Sequence, residues 1–288
     1  MDERAALRRL AEDVPGAGDD AAVVDGLVLT TDMLHESTDF PAGTTRYTAG
    51  WRAVGASLSD VAAMGAEAVA AVAVYAGPSF EWDDLAAFVA GASDACERVG
   101  AAYVGGDLDG HGEFTVATTA LGRTDSPVWR SDATPGDVVC VTGTLGRSGA
   151  ALRLFEAGEH ERANDLFRFE PRVGAGRVLA GGATAMMDSS DGLARSLHQL
   201  AEASDCGFAI ESPLPVAPAP EAVADDADER RELSLFFGED FELVCTIPEQ
   251  HLAELRAATA VSLTPIGTVT EEGITLDGEP LPDRGYTH

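Results

Sequence analysis

The fold class can be inferred from residues 45–76, which read TRYTAGWRAVGASLSDVAAMGAEAVAAVAVYA. Apolar side chains recur at helical spacing over 45–65, and Gly65 is a typical helix stop. The run over 68–76 follows at once and is typical of a strand, because it is short, apolar and rich in Ala and Val. A helix that leads directly into a strand predicts an α/β layered fold, with helices packed on a sheet.

The neighbouring sequence continues this alternation. Residues 21–32 read as two strands joined by an Asp25-Gly26 turn, which is a strong hairpin signal. The other elements predicted for this half are a helix over 81–99 and strands over 102–107 and 114–122. The N-terminal residues 1–14 have the pattern of a charged amphipathic helix rather than a signal peptide.

A change of composition divides the chain. Residues 124–137 are rich in Pro, Ser and Asp and have no periodicity. A strand, a Gly-rich turn and a helix over 147–158 follow, with another strand over 240–248. The acidic, Pro-rich stretch 211–229 is interpreted as a mobile loop. A length of 288 residues suffices for two domains, predicted here as 1–133 and 134–288.

The charge excludes several classes of protein. The net charge is −30, all 19 basic residues are Arg, and Lys is absent. This charge argues against nucleic-acid binding, because a polyanion would be repelled. The same bias is typical of a halophilic archaeon, whose cytoplasm contains concentrated salt that screens surface charge. Without Lys there is neither a P-loop nor a Schiff-base mechanism.

The apolar pattern and the cysteines indicate the compartment. No run of 18 apolar residues is present, so no membrane span is predicted. The four cysteines are widely spaced and form no CxxC pair. We interpret them as small buried side chains in a reducing compartment, which predicts a cytoplasmic protein.

One acid lies within the helix of the opening stretch. Trp51, Val54 and Leu58 form one apolar face, and the opposite face is made of Ala residues and Asp60. Such a helix is expected to be buried on both sides. A buried carboxylate must be paired, protonated or bound to a metal. A cap or a salt bridge to Arg is the alternative to a metal ligand here.

Further acids follow predicted strands. They are Asp20, Asp32, Asp107, Asp188 and Asp191. Open α/β sheets bind ligands at strand ends, and carboxylate oxygens suit Mg²⁺ rather than zinc. A single Asp of this kind is better explained as a turn residue than as a ligand. It is their recurrence at successive strand ends that favours a magnesium site.

Three features point to phosphate, each with a structural alternative. The Gly-rich turn GTLGRSG, 143–149, is either a phosphate loop or simply a tight turn. Ser190 and Asp191 precede a helix and either cap it or form an anion site at its N-terminus. Arg130 is either a surface side chain or a bidentate phosphate ligand.

The ordered motifs resemble those of the thiamine-monophosphate kinase family. They are GDDAAVV, TTDML, SLSDVAAMGA, VGGD, PGDVVCVTGTLG, MDSSDGL and FFGEDFELVCTIP, and they span residues 18–248. The resemblance implies a two-domain α/β fold shared with aminoimidazole ribonucleotide (AIR) synthetase. It also implies a homodimer formed through the N-terminal domains, ATP as co-substrate and several Mg²⁺ ions.

The resemblance also implies roles for individual residues. The metal ligands would be Asp20, Thr30, Thr31, Asp32, Asp60, Asp107, Asp188 and Asp191. The ATP contacts would be Gly106, Asp107, Arg130 and Ser190. Glu239 would face thiamine. Asp39 and Asp283 stand at two further substrate-facing positions, where family members often have a His and an aromatic residue.

The implied reaction is direct, in-line transfer of the γ-phosphate of ATP to thiamine monophosphate, giving thiamine diphosphate. No catalytic residue separate from the metal ligands is needed, because a phosphate monoester with a second pKa near ~6 is already anionic. The alternatives are another ATP-dependent enzyme of the superfamily, such as AIR synthetase, or a nucleotide- or metal-binding protein without turnover.

Overall fold

The computed structural model describes residue 6 and residues 9–11, 13–14 and 16–286. The predicted N-terminal helix therefore lies largely outside the described residues. The first half contains β1 (Ala22–Val24), β2 (Leu27–His35), α1 (Glu36–Asp39), α2 (Arg46–Ala63), β3 (Glu67–Gly77), α3 (Trp82–Arg98), β4 (Ala102–Gly110) and β5 (Thr115–Arg123).

The second half begins with β6 (Val138–Thr142), α4 (Arg147–Glu156), α5 (His160–Phe167), α6 (Val173–Leu179), β7 (Ala185–Asp188), α7 (Leu193–Ser204) and β8 (Gly207–Ile210). It continues with α8 (Pro218–Val223), α9 (Ala227–Arg231), a π-helix (Glu232–Phe236), β9 (Leu243–Ile247), α10 (Glu249–Ala258), β10 (Leu263–Thr270), β11 (Ile274–Leu276) and β12 (Glu279–Pro280).

Two sheets organise these elements. The first has the strand order β1-β2-β5-β3-β4, with only the β3–β4 pair parallel, and the second has the order β12-β11-β8-β10-β6-β9-β7. The predicted hairpin is confirmed, since Asp25 and Gly26 have φ of 51° and 78°. Such angles are those of a type I′ turn, which matches the twist of the two strands.

Helix α2 lies at the centre of the molecule. One side packs on β2, β3 and β5, and other parts contact α6 and β7 of the second half. It also crosses α3 very closely, because Gly50 and Gly91 let the backbones approach. A Cβ on Gly50 would lie 2.1 Å from the Phe88 carbonyl oxygen, and one on Gly91 would lie 1.9 Å from that of Tyr47. The predicted double burial of this helix is confirmed.

Among residues 16–286, elements cover only one face of the first sheet. Its other face exposes Leu27, Leu29, Met33, Val72 and Val74. Strand β4, at the edge of the sheet, exposes nearly its whole length, including Val104 and Leu108. Monomeric proteins rarely expose an apolar sheet face beside an uncovered edge strand.

Two sequence predictions are wrong in detail. Residues 211–229 are not one loop, because α8 and α9 form there. Pro218 begins α8, and the side chain of Asp226 caps α9 by accepting from the Glu229 amide. The strand expected over 240–248 is ordered as β9 only from Leu243, because Glu239 and Phe241 adopt left-handed φ angles of 69° and 53°. None of the described helices is long and apolar enough to cross a membrane.

Candidate active site

Three carboxylates from distant parts of the chain converge between the halves. One oxygen each of Asp20, Asp60 and Asp188 lies within 4.8 Å of the other two. Asp20 comes just before β1, Asp60 from the last turn of α2, and Asp188 from the end of β7. The predicted gathering of strand-end acids with the helix acid Asp60 is therefore present for these three residues.

Short hydroxyl side chains orient the cluster. Thr30 Oγ1 donates to Asp60. Asp188 accepts from Ser59 Oγ at 2.7 Å and from Ser190 Oγ at 2.7 Å. Because Ser59 and Asp60 are consecutive on α2, the same helical turn positions two of the three acids.

Crowding of buried charge changes the acidity of the cluster. Burial, followed by the charges of Asp32, Asp188 and Asp20, raises the pKa of Asp60 well above its usual value. Burial, and then the charge of Asp20, raises the pKa of Asp188 to about 7. A cation at this position would favour the ionised carboxylates, as expected of a metal site.

The neighbouring strand supplies a fourth acid. Asp32 accepts from Ser57 Oγ at 2.8 Å, and its charge contributes to the pKa of Asp60. Thr30 and Asp32 alternate with Thr31, so the Thr31 side chain lies on the opposite face of β2, where it is exposed. Its hydroxyl donates to the Thr118 carbonyl oxygen at 2.8 Å.

Asp20 has an ion-pair partner. Arg130 donates to its two oxygens from Nε at 3.1 Å and from Nη2 at 2.8 Å. Asp20 is therefore a paired acid, with both of its oxygens on one guanidinium. Arg130, which was expected to contact phosphate, lies beside the cluster, and its guanidinium is hydrogen-bonded to the Asp20 carboxylate.

The turn after β7 carries the next two candidates. The Ser190 amide donates to Asp188 Oδ1 at 3.1 Å, and the Ser190 hydroxyl donates to the same oxygen. Asp191 accepts from Gln199 Nε2 at 3.1 Å and is outside the group of three. Gly192 is the N-cap of α7, so the alternative that Ser190 or Asp191 caps this helix is wrong.

Gly106 and Asp107 lie away from the cluster. The register pairs Asp32 with Thr118, Thr118 with Ala73, and Ala73 with Gly106. Three strand spacings, roughly 14 Å, therefore separate Asp32 from Gly106. Gly106 and Asp107 line a separate cavity of about 590 Å³ together with Tyr75, Phe88 and Tyr103.

The three predicted substrate-facing acids all have partners. Glu239 is buried and accepts from Arg52 Nη2 at 2.5 Å. Asp39 is buried and accepts from the His35 amide at 2.7 Å. Asp283 forms an ion pair of 2.7 Å with Arg195 Nε.

Tyr286 is a residue that the sequence reasoning missed. Its ring packs against Phe237 with centroids 5.1 Å apart, and its hydroxyl donates to the Thr38 carbonyl oxygen at 3.2 Å. Burial, followed by the charges of Glu239 and Asp39, raises the pKa of Tyr286 to about 12. An aromatic residue after the C-terminal Gly285 was the available signal.

Three amides of the Gly-rich turn over 143–149 donate to carboxylates of the chain itself. Asp240 accepts from the amides of Gly146 and Ser148, the latter at 2.9 Å. Glu242 accepts from the Thr144 amide at 3.2 Å. Carboxylates of the chain itself thus take the place of an anion at these amides, which favours the tight-turn alternative. Both acids belong to the motif GEDFE, which had suggested only Glu239.

Two family models match the chain, AIR synthase related protein, N-terminal domain, over residues 18–124, and AIR synthase related protein, C-terminal domain, over 134–278. The sequence is 63% identical to thiamine-monophosphate kinase of Halobacterium salinarum, over all of both chains.

Two solved structures are similar over nearly the whole length. The thiamine-monophosphate kinase of Stenotrophomonas maltophilia K279a superposes with a TM-score of 0.82 at 30% identity, covering 96% of each chain. AaThiL complexed with AMPPCP and TMP superposes with a TM-score of 0.89 at 28% identity, covering 99% of this chain and 96% of the other.

Proposed function

The chain belongs to the thiamine-monophosphate kinases of the AIR synthase related family, and we propose that its acidic cluster is the magnesium site of the phosphoryl transfer. The protein is an ATP-dependent phosphotransferase that converts thiamine monophosphate to thiamine diphosphate. The resemblance seen in the sequence is thereby confirmed, and AIR synthetase and a protein without turnover are set aside.

One observation carries the proposal of a metal site. Asp20, Asp60 and Asp188 bring carboxylate oxygens within 4.8 Å of one another, and burial disfavours the charges of Asp60 and Asp188. Hard oxygen donors of this kind fit Mg²⁺. Bound Mg²⁺ supplies charge neutralisation between two anionic reactants. The remaining proposed ligands are Asp32, Thr30, Asp107 and Asp191, together with Thr31 through its main-chain oxygen, because the Thr31 side chain lies on the opposite face of β2.

Side chains and main-chain groups of the protein position the reactants. We place the nucleotide along Gly106 and Asp107 of the partner subunit, because the cavity that these residues line includes the half-buried ring of Tyr103, which offers a stacking surface for a base. Arg130 and Ser190 border the acidic cluster and would contact the phosphates. No general base is required, since the acceptor phosphate is already anionic at neutral pH.

The acceptor is proposed to bind beside the turn that holds Ser190. Glu239 reaches this turn directly, because its amide donates to the Ser190 carbonyl oxygen at 2.6 Å. Tyr286 and Phe237 add an aromatic wall next to it. Asp39 and Asp283 remain proposed acceptor-facing residues, each now with a named partner.

A homodimer formed through the open face of the first sheet completes the proposal. Leu29, Met33, Val72 and Val74 form an apolar surface that a second copy would cover. Asp107 lies on the exposed edge strand beside this surface, far from Asp32 of the same chain. We propose that the partner's Asp107 supplies the ligand at each site.

The predicted domains, 1–133 and 134–288, and a cytoplasmic location remain proposals of the same kind. The first boundary lies in the segment between β5 and β6. All four cysteines are free thiols, as a reducing compartment would keep them.

A coupled assay tests the function. Purified protein in concentrated KCl with MgCl₂ and ATP is expected to form thiamine diphosphate from thiamine monophosphate, with one ADP released for each product. ADP release that depends on a different acceptor, with none from thiamine monophosphate, would refute the assignment.

A further inference from the structure

Arg52 is a buried cation whose side-chain hydrogen bonds to the described residues all cross the boundary between the two halves. It belongs to α2, and only 2% of it is exposed. Its Nη2 donates to Glu239 Oε2 at 2.5 Å, and its Nη1 donates to the Phe167 carbonyl oxygen. The guanidinium also lies over the Phe167 ring, 3.5 Å from its centroid.

Glu239 is held in an unusual conformation. Its φ of 69° is in the left-handed region that side chains other than glycine rarely adopt. Its carbonyl oxygen accepts from Ser148 Oγ at 2.6 Å, and Arg52 Nη1 in turn reaches Ser148 Oγ at 3.4 Å. Strained backbone of this kind persists where the surroundings fix it, and it clusters at functional sites.

The orientation of Glu239 follows from these contacts. Arg52 donates to Oε2 of Glu239, whereas Oε1 accepts no hydrogen bond from the described part of the chain. The side chain is 10% exposed. The Glu239 amide donates to the Ser190 carbonyl oxygen. Gly238 is in close contact with the same turn, since a Cβ on Gly238 would lie 1.9 Å from that oxygen.

We propose that Arg52 is a positioning residue for recognition of the phosphate acceptor. It neutralises one oxygen of Glu239 and fixes the carboxylate so that Oε1 is directed to a cationic aromatic acceptor, next to the rings of Phe237 and Tyr286. The inference rests on the proposed function, and it assigns to a buried residue of the first half a role in acceptor specificity.

A guanidinium suits this role and an ammonium does not. The planar fork contacts Glu239, Ser148 and Phe167 from fixed directions while its face lies on a ring. Lysine keeps the positive charge but is a point donor, so it cannot hold all three partners. Arg52→Lys therefore separates positioning of Glu239 from neutralisation of its charge.

The test compares steady-state constants of Arg52→Lys with wild type. We expect the KM for thiamine monophosphate to rise at least ~10-fold, while the KM for ATP stays within about twofold. In a Glu239→Gln background, Arg52→Lys should add no further increase. Arg168→Lys is the matched control, because Arg168 also joins the halves, donating to Thr48 Oγ1 at 3.1 Å, without touching Glu239.

Several results would overturn the inference. They are an unchanged KM for thiamine monophosphate, equal increases in both KM values, or additive effects of the two substitutions. If circular dichroism shows that Arg52→Lys is unfolded, Ser148→Ala replaces it under the same criteria, since it removes one support of the Glu239 backbone. Wild-type protein that does not phosphorylate thiamine monophosphate would instead refute the proposed function.

Discussion

Arg130 donates two hydrogen bonds to the Asp20 carboxylate, of 3.1 Å and 2.8 Å, from the segment that joins the first half of the chain to the second. The Arg130 amide also donates to Asp19 at 3.0 Å. This pair ties the loop before β1 to the segment between the halves. It thereby sets the position of one of the three clustered acids relative to Asp188.

Replacing Arg130 by Lys is expected to weaken nucleotide binding. The fork that holds both oxygens of Asp20 would be lost, and with it the bidentate geometry suited to phosphate. We expect the KM for ATP to rise by roughly 10-fold to 100-fold. The control is Arg123→Lys, at the end of β5. Equal kinetics for both variants would remove Arg130 from the site.

Asp188→Asn should separate stability from activity. The substitution removes a fully buried charge from a group of acids that repel one another. We expect kcat to fall at least ~100-fold, whereas the Tm of the protein in EDTA should rise or stay the same. Thermal unfolding and the coupled assay measure the two effects. Asp125→Asn, at an exposed position, controls for loss of one charge.

The stability of the metal-free protein should depend on pH in a defined direction. The pKa of Asp188 is raised from 3.8 to about 7 in the folded protein, so the folded state binds more protons than the unfolded state between these values. Stability must then fall as the pH rises from about 4 to 7, by up to about 4 kcal/mol for one such group.

Magnesium should reverse this trend. Because Mg²⁺ binds the ionised carboxylates, its stabilising effect should increase with pH. Unfolding curves at fixed KCl, with either EDTA or MgCl₂, measure this from pH 5 to pH 8. A Tm in EDTA that climbs over this range, or a shift with Mg²⁺ that is the same at both ends, would contradict the assignment.

Subunit mixing tests whether each site draws on two chains. Asp32→Asn and Asp107→Asn are each expected to abolish turnover without unfolding the protein. If the partner's Asp107 completes the site, a mixed dimer of the two variants contains one intact site. Random exchange of subunits should then restore about a quarter of wild-type activity. No recovery after demonstrated exchange would place Asp32 and Asp107 in the site of a single chain.

A charge on the open face of the first sheet should disrupt the dimer. Met33→Arg would place an unpaired cation at the centre of an apolar interface. We expect light scattering to report a monomer, with loss of activity. Trp82→Arg is the control, since Trp82 is 78% exposed at the start of α3, away from that face. A Met33→Arg protein that remains dimeric would refute the proposed interface.

Local sequence predicted the elements near Asp25, Gly65 and the apolar strands well, because turn chemistry and hydrophobic periodicity act over a few residues. It was less successful for residues 211–229, where Pro218 and the Asp226 cap begin short helices. Composition alone could not distinguish an acidic loop from short capped helices packed on the second domain.

For the candidate site, too, the sequence identified some of the residues but not the contacts between them. Strand-end position and helix periodicity identified Asp20, Asp60 and Asp188 as candidates, and the family motifs added Glu239. The partners of these acids were not evident, because Arg130 is 110 residues from Asp20 in the sequence and Arg52 is 187 from Glu239. Those pairings depend on how the two halves pack.

Residue type and short-range spacing were enough to predict the α/β layers, the hairpin at Asp25-Gly26 and the exclusion of lysine chemistry. The family came from the resemblance of the ordered motifs over residues 18–248. The packed structure was needed to show which acids meet, that Arg130 pairs with Asp20, that Asp240 fills the Gly-rich turn, and that Arg52 holds Glu239. Burial and charge compensation are properties of contacts between distant segments, and those contacts exist only once the segments are packed together.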